Sequence, residues 1–121
     1  MRSFCSSAPS EFLAELALHH REKLAARNLA IIRHNLDLLD AFFARHADRF
    51  AWQRPRAGSI AFPRLVGEPV DAFCDRLVRQ TGVLLLPGTT YGHPGNHFRI
   101  GFGRVNLPQA LERVEPFLAD A

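Results

Sequence analysis

Arg99 is the side chain in this sequence best placed to do chemistry. It stands in Phe98-Arg99-Ile100-Gly101-Phe102-Gly103. Phe98, Ile100 and Phe102 alternate with Arg99, Gly101 and Gly103, and alternation of that period marks a strand with one apolar face. The other face would carry one guanidinium beside residues that have no side chain. A planar cation with five donors and open space around it suits bidentate capture of a carboxylate. Just upstream runs a glycine-rich loop, Gly88-Thr89-Thr90-Tyr91-Gly92-His93-Pro94-Gly95, in which Tyr91 is placed to close over a ligand. Arg99 and Tyr91 are the candidate ligand-binding residues.

Other reactive residue types form no recognisable constellation. His93 and His97 are four apart, but Pro94 and Gly95 between them exclude a helix, and no cysteine or carboxylate is close in sequence. A metal site is not expected. His19 and His20 fall on a long helix, where exposure is the default. Lys23, the single lysine, sits between charged neighbours on the same helix and reads as solvated. Cys5 and Cys74 lack metal-ligand spacing and read as reduced thiols. There is no phosphate-binding glycine loop and no nucleophile elbow.

The totals allow one domain. The chain has 121 residues, 47% of them hydrophobic and 22% charged, as in ordinary globular proteins. The net charge is +3. Basic residues alternate with acids, as in Glu22-Lys23 and Asp75-Arg76, and form no block of the kind nucleic-acid binding needs. No run is long and apolar enough for a membrane span, and no signal-like segment follows Arg2. A cytoplasmic protein is the expectation.

The elements that must position Arg99 follow from periodicity. Pro9 and Glu11 suit a first helical turn, with Ser7 as the cap. Leu13, Leu16 and Leu24, then Leu29, Ile32, Leu36, Leu39 and Phe43, mark a helical stripe reaching almost to Phe50, with a bend or break expected near Arg27-Asn28. Phe50–Trp52 and 59–62 suggest two short strands around an Arg54-to-Gly58 turn. Pro69 opens a helix carrying Val70, Phe73, Leu77 and Val78, and Gly82 caps its end. Residues 83–86 and 97–102 read as strands. Asn106 caps a last helix with Gln109 three residues on, and Leu107, Leu111, Val114 and Leu118 line its inner face. Pro116 should kink that helix or end it early. The expected fold is α+β: a long N-terminal helix region over 1–49, then a small α+β domain over 50–121 with helices on one face of a small sheet.

Taken in order, several segments resemble a known family. They are Ser6-Ser7-Ala8-Pro9-Ser10-Glu11, Arg27-Asn28, Asn35-Leu36, Trp52, Gly58-Ser59-Ile60-Ala61-Phe62-Pro63, the run from Gly82 to Gly88, and Phe98 to Gly103. Together they are similar to the C-terminal part of class I/II aminotransferases, pyridoxal-phosphate enzymes of fold type I. The resemblance implies that Arg99 binds the substrate α-carboxylate, with Tyr91 near the substrate. The intact enzyme would move an amino group between an amino acid and a 2-oxo acid, with pyridoxal phosphate as cofactor. The larger cofactor-binding domain has no counterpart here, nor has the cofactor-anchoring lysine. The chain alone is therefore expected to be inactive and to hold no cofactor. The missing large domain or a homodimer partner would complete it, with no role for nucleic acid or membrane. The alternative is a non-catalytic interaction module that reuses the small-domain fold.

Overall fold

A computed structural model describes residues 7–119, so Cys5 and Ser6 lie outside the described residues. Helix α1 spans Ala8–His19, and α2 spans Arg21–Arg45. Strands β1 (Phe50–Ala51), β2 (Ile60–Ala61) and β3 (Arg64–Leu65) follow, then α3 (Val70–Thr81). Strand β4 (Leu86–Pro87) runs into a single 3-10 turn, Gly88–Tyr91. Strand β5 (Phe98–Gly101) and helix α4 (Leu107–Ala119) complete the α+β order. The chain divides into two compact units, one ending at Ala30 and one running from Ile31 onward.

The first unit is helical and thinly packed. Helix α1 buries none of its residues, and Phe12, Leu13 and Leu18 are more than 60% exposed. The helix break falls at His20, not at Arg27-Asn28. His20 leaves helical geometry at φ −102°, ψ 15°, and α2 then runs unbroken through Arg27 and Asn28. Nothing at 27–28 removes a backbone donor, so the ladder continues there. Ser7 does not cap α1 with its side chain; its carbonyl instead accepts the Glu11 N–H at 3.0 Å.

The second unit holds the core. Leu36, Leu39, Phe42 and Phe43 of α2 pack with Phe50, Leu65, Phe73, Leu77, Phe98, Phe102, Val114 and Phe117. The aromatic rings meet edge-to-face, as in Phe50 with Phe73 at 5.9 Å and Phe50 with Phe98 at 5.8 Å, the arrangement their quadrupoles favour. Gly82 ends α3 in the left-handed region at φ 72°, as its position suggests. Pro116 does not end α4. The proline costs one backbone bond, but Val114, Phe117 and Leu118 are buried around it and keep the last turn helical.

Strand pairing departs from the expected hairpin. β1 and β2 do not pair with each other. β1 pairs antiparallel with β3, placing Phe50 opposite Leu65, while β2 pairs antiparallel with β5. Of residues 83–86, only Leu86 lies in the ladder, where it opposes Arg99. The strand order in the larger sheet is β2-β5-β4.

Two asparagines, Asn35 buried and Asn96 half-buried, tie these short strands down. Asn35 is 1% exposed; its Nδ2 donates to the carbonyls of Phe102 and Arg104 at 2.8 and 2.7 Å. Asn96 Nδ2 donates to the carbonyls of Leu65 and Glu68, and its Oδ1 accepts the Val70 N–H at 2.8 Å. That last bond satisfies an orphan donor at the start of α3, the task usually given to a helix's own cap residue.

Candidate functional site

One uninterrupted register builds the face that carries Arg99. Ile60 opposes Gly101, Ala61 opposes Ile100, and Arg64 opposes His97. Between these pairs the Phe98 N–H bonds the Pro63 carbonyl at 3.0 Å. Residues 60–65 therefore lie along 96–101 without a bulge, and Phe62 falls opposite Arg99. Directly opposed residues share a face. Ala61, Pro63, Leu65, Phe98 and Ile100 point inward and are buried, whereas Ile60, Phe62, Arg64, Arg99 and Gly101 point outward and are exposed.

Arg99 and Tyr91 come together on the outer face. Arg99 Nη1 donates to the Tyr91 hydroxyl at 2.9 Å. The 3-10 turn directly after β4 carries Tyr91 back over the sheet, and Gly92 at φ 68° lets the chain leave that turn. Among the described residues no carboxylate pairs with Arg99. Arg54, by contrast, is committed to Asp37 and Asp40.

The hollow expected beside Arg99 is an open face. A β-carbon on Gly101 would meet only the Ser59 carbonyl oxygen at 3.9 Å, so that side is free. Gly103 is not: a β-carbon there would sit 3.2 Å from Ser59 Cβ. Arg99 lines neither of the second unit's two concave regions. One, of about 490 Å³, lies among Phe73, Val83, Leu85, Leu107 and Val114. The other, of about 830 Å³, is lined by Gln53, Arg56, Phe62, Arg64 and His97.

Sequence order alone gave no sign of the Phe62, His93 and His97 cluster. The rings of Phe62 and His97 stack at 5.3 Å with 8° between planes, and His93 meets both edge-on. Gly88 makes room for it, since a β-carbon there would come within 3.0 Å of both Phe62 Cζ and the His97 carbonyl. Burial, then His93 and Arg64, hold the His97 pKa below the ordinary imidazole value. The period-two pattern over 60–65 was the available signal: every second residue there, Ala61, Pro63 and Leu65, is apolar and small enough to pack inward.

No group of three or more metal-ligating side chains is assembled among the described residues. Cys74 is a buried free thiol whose pKa is pushed up to about 11, first by burial and then by Asp71. A thiol held protonated in this way is a poor nucleophile. No helix among the described residues is long and apolar enough to cross a membrane.

No family model matches the chain. Capreomycidine synthase of Streptomyces vinaceus is 33% identical to it over 107 residues, covering 86% of this chain and 27% of that protein. The structure of a PLP-dependent aminotransferase from Streptococcus suis superposes with a TM-score of 0.84 at 30% identity, over 96% of this chain and 31% of that one. That of the PLP-dependent cyclase OrfR superposes at 0.83 with 32% identity, over 95% and 32%. The chain matches the small, C-terminal domain of the PLP-dependent aminotransferases. It spans about 30% of the length of these relatives. Its own residues do not fit a pyridoxal phosphate site. The aldehyde of that cofactor needs a lysine amine held in a site, and Lys23, the only lysine in the sequence, is exposed on the first turn of α2.

Proposed function

We propose that this chain is the substrate-carboxylate-binding part of a cytoplasmic PLP-dependent aminotransferase, with the cofactor held on a large domain that this sequence does not contain. The observation that carries the reading is Arg99: an exposed guanidinium, oriented by the Tyr91 hydroxyl and without a carboxylate partner among the described residues. A substrate α-carboxylate would supply that partner through two parallel N–H···O bonds, fixing the amino acid in one orientation. Tyr91 holds the guanidinium plane and adds a hydroxyl beside it. The large domain would supply the cofactor and its electron-withdrawing chemistry; this chain would bind, orient and help exclude water.

The uncovered apolar side chains of α1, Phe12, Leu13, Leu16 and Leu18, also support a missing partner surface. The same surface favours the second reading, an interaction module without catalysis. Under both readings, purified chain desalted after incubation with pyridoxal phosphate should retain no stoichiometric cofactor and show no amino transfer; one measurement separates them. In the enzyme completed by its large domain, Arg99→Ala should raise KM for the amino acid by the equivalent of about 2–5 kcal/mol, the cost of unpairing a charge-assisted contact. An unchanged KM removes Arg99 from the site and leaves the interaction module as the better account.

A further inference from the structure

The ladder between β4 and β5 ends where Leu86 opposes Arg99. Beyond that pair Ile100 and Gly101 are matched only by β2, and residues 82–85 lie outside the strands. The two backbones part there, and the concave region of about 490 Å³ opens between them and α4. It lies on the side of the sheet away from Arg99, because the inward-pointing Phe98 and Ile100 line it. Its walls and floor are apolar. Val83, Leu85 and Leu111 are half-buried along the sides. Phe50, Phe73 and Phe98, each no more than 4% exposed, close the bottom. Hollows of roughly 300–1,000 Å³ are the size that holds small organic molecules. Apolar walls give water few hydrogen-bond partners, so an apolar body gains by displacing it.

The mouth of this cavity is cationic. β4 and β5 are antiparallel, so Gly82, ahead of β4, and Arg104, beyond β5, lie at the same end. Arg113 of α4 reaches that end too: its Nη1 stands 4.0 Å from where a β-carbon on Gly82 would be. Arg104 and Arg113 both line the cavity. Among the described residues no carboxylate lines it, and none pairs with either guanidinium. The first turn of α4 lines the same mouth, where the positive end of the helix adds to the two cations. Asn35 anchors the backbone beneath one of them, its Nδ2 donating to the Arg104 carbonyl at 2.7 Å.

We propose that this cavity binds an amphipathic organic monoanion: a carboxylate with a short alkyl or aryl body, its head on Arg104 and Arg113 and its tail over the phenylalanine floor. The site goes beyond the reading of Arg99 and does not rest on it. A neutral body of the same shape would fill the hollow and leave the two cations unanswered. A small anion would answer the cations and leave the hollow wet. Only a ligand with both parts uses both features.

The test is a titration of the whole 121-residue chain with octanoate, octanol and acetate, read from the methyl resonances of Val83, Leu85 and Leu111. Octanoate should shift them saturably and bind at least about tenfold more tightly than octanol. Acetate carries the same charge and should leave them still. Added salt should weaken octanoate binding and not that of octanol. Arg104→Gln combined with Arg113→Gln alters two exposed side chains, so the melting curve should match wild type. That double variant should bind octanoate no better than octanol. Equal affinity for octanoate and octanol in the wild-type chain, or a preference for octanoate that survives the double variant, overturns the site. Saturable shifts confined to Leu13, Leu16 and Leu18 would put the ligand on the uncovered face of α1 and overturn it equally.

Discussion

Phe98 and Arg99 are consecutive in the chain and belong to opposite worlds of one ladder. Phe98 is 1% exposed among Phe50, Phe73 and Leu77, while Arg99 faces outward with one hydroxyl for company. The backbone bonds are the same for both. What differs is the side of the pleat, and with it the solvent that each side chain meets. The inner face concentrates the cohesion of the second unit. The outer face, with Arg64 and Arg99 uncompensated and Ile60 and Phe62 exposed, contributes little to cohesion and keeps its charge available. Substitutions should therefore divide cleanly between fold and binding.

The largest effect should come from the inner face. Phe98→Ala should lower stability by about 3–5 kcal/mol, because it leaves a cavity against the rings of Phe50 and Phe73. Denaturant unfolding checks this, and a loss under about 1 kcal/mol would mean that the face is not close-packed. Next comes Asn35→Leu, which strips the donors from the Phe102 and Arg104 carbonyls just beyond β5. A cost of about 1–3 kcal/mol is expected, with faster amide exchange over 101–104. An unchanged exchange pattern there would show that the strand end does not depend on α2.

A smaller effect should depend on pH. Glu115 of α4 is bound by Arg45 and by His46 Nε2, the latter at 2.8 Å. The Arg45 bond above all, with His46 assisting and partial burial opposing, holds the Glu115 carboxyl below its ordinary pKa. A carboxyl lowered in the folded state stabilises the fold above its unfolded pKa of about 4.3, and that stabilisation is lost as pH falls through the folded value. The melting-temperature gap between wild type and Glu115→Gln should thus be widest near neutrality and close on acidification below about pH 4. A gap that stays constant would show that the ion pair contributes nothing. The smallest effect should be that of Arg99→Ala on stability, within about 0.5 kcal/mol, since its face is exposed.

Much of this architecture was legible from local pattern. The apolar faces of α3 and α4, the Gly82 cap and the arginine strand each follow from residues close together in sequence. The hairpin expected from 50–62 failed because strands of two residues carry almost no local signal, and β1 found its partner in β3 through the packing of Phe50 against Leu65. The break at His20 was hidden because neither glycine nor proline marks it. The bridging roles of Asn35 and Asn96 depend on carbonyls far away in the chain, which no spacing reveals. At the candidate site, Arg99 and Tyr91 were visible as residue types, and their 2.9 Å hydrogen bond depends on the turn at Gly88–Tyr91. The alignment of Arg64 with Arg99 needed the register.

The most direct measurement is the Arg99 side-chain Nε–Hε resonance in the whole chain during titration with L-alanine at fixed ionic strength. A saturable shift at Arg99, with a matching response at Tyr91 and none in the Phe98→Ala-sensitive core, is the result expected of an outward-facing carboxylate site. A resonance that stays still, or drifts only as it does with added chloride, would contradict it.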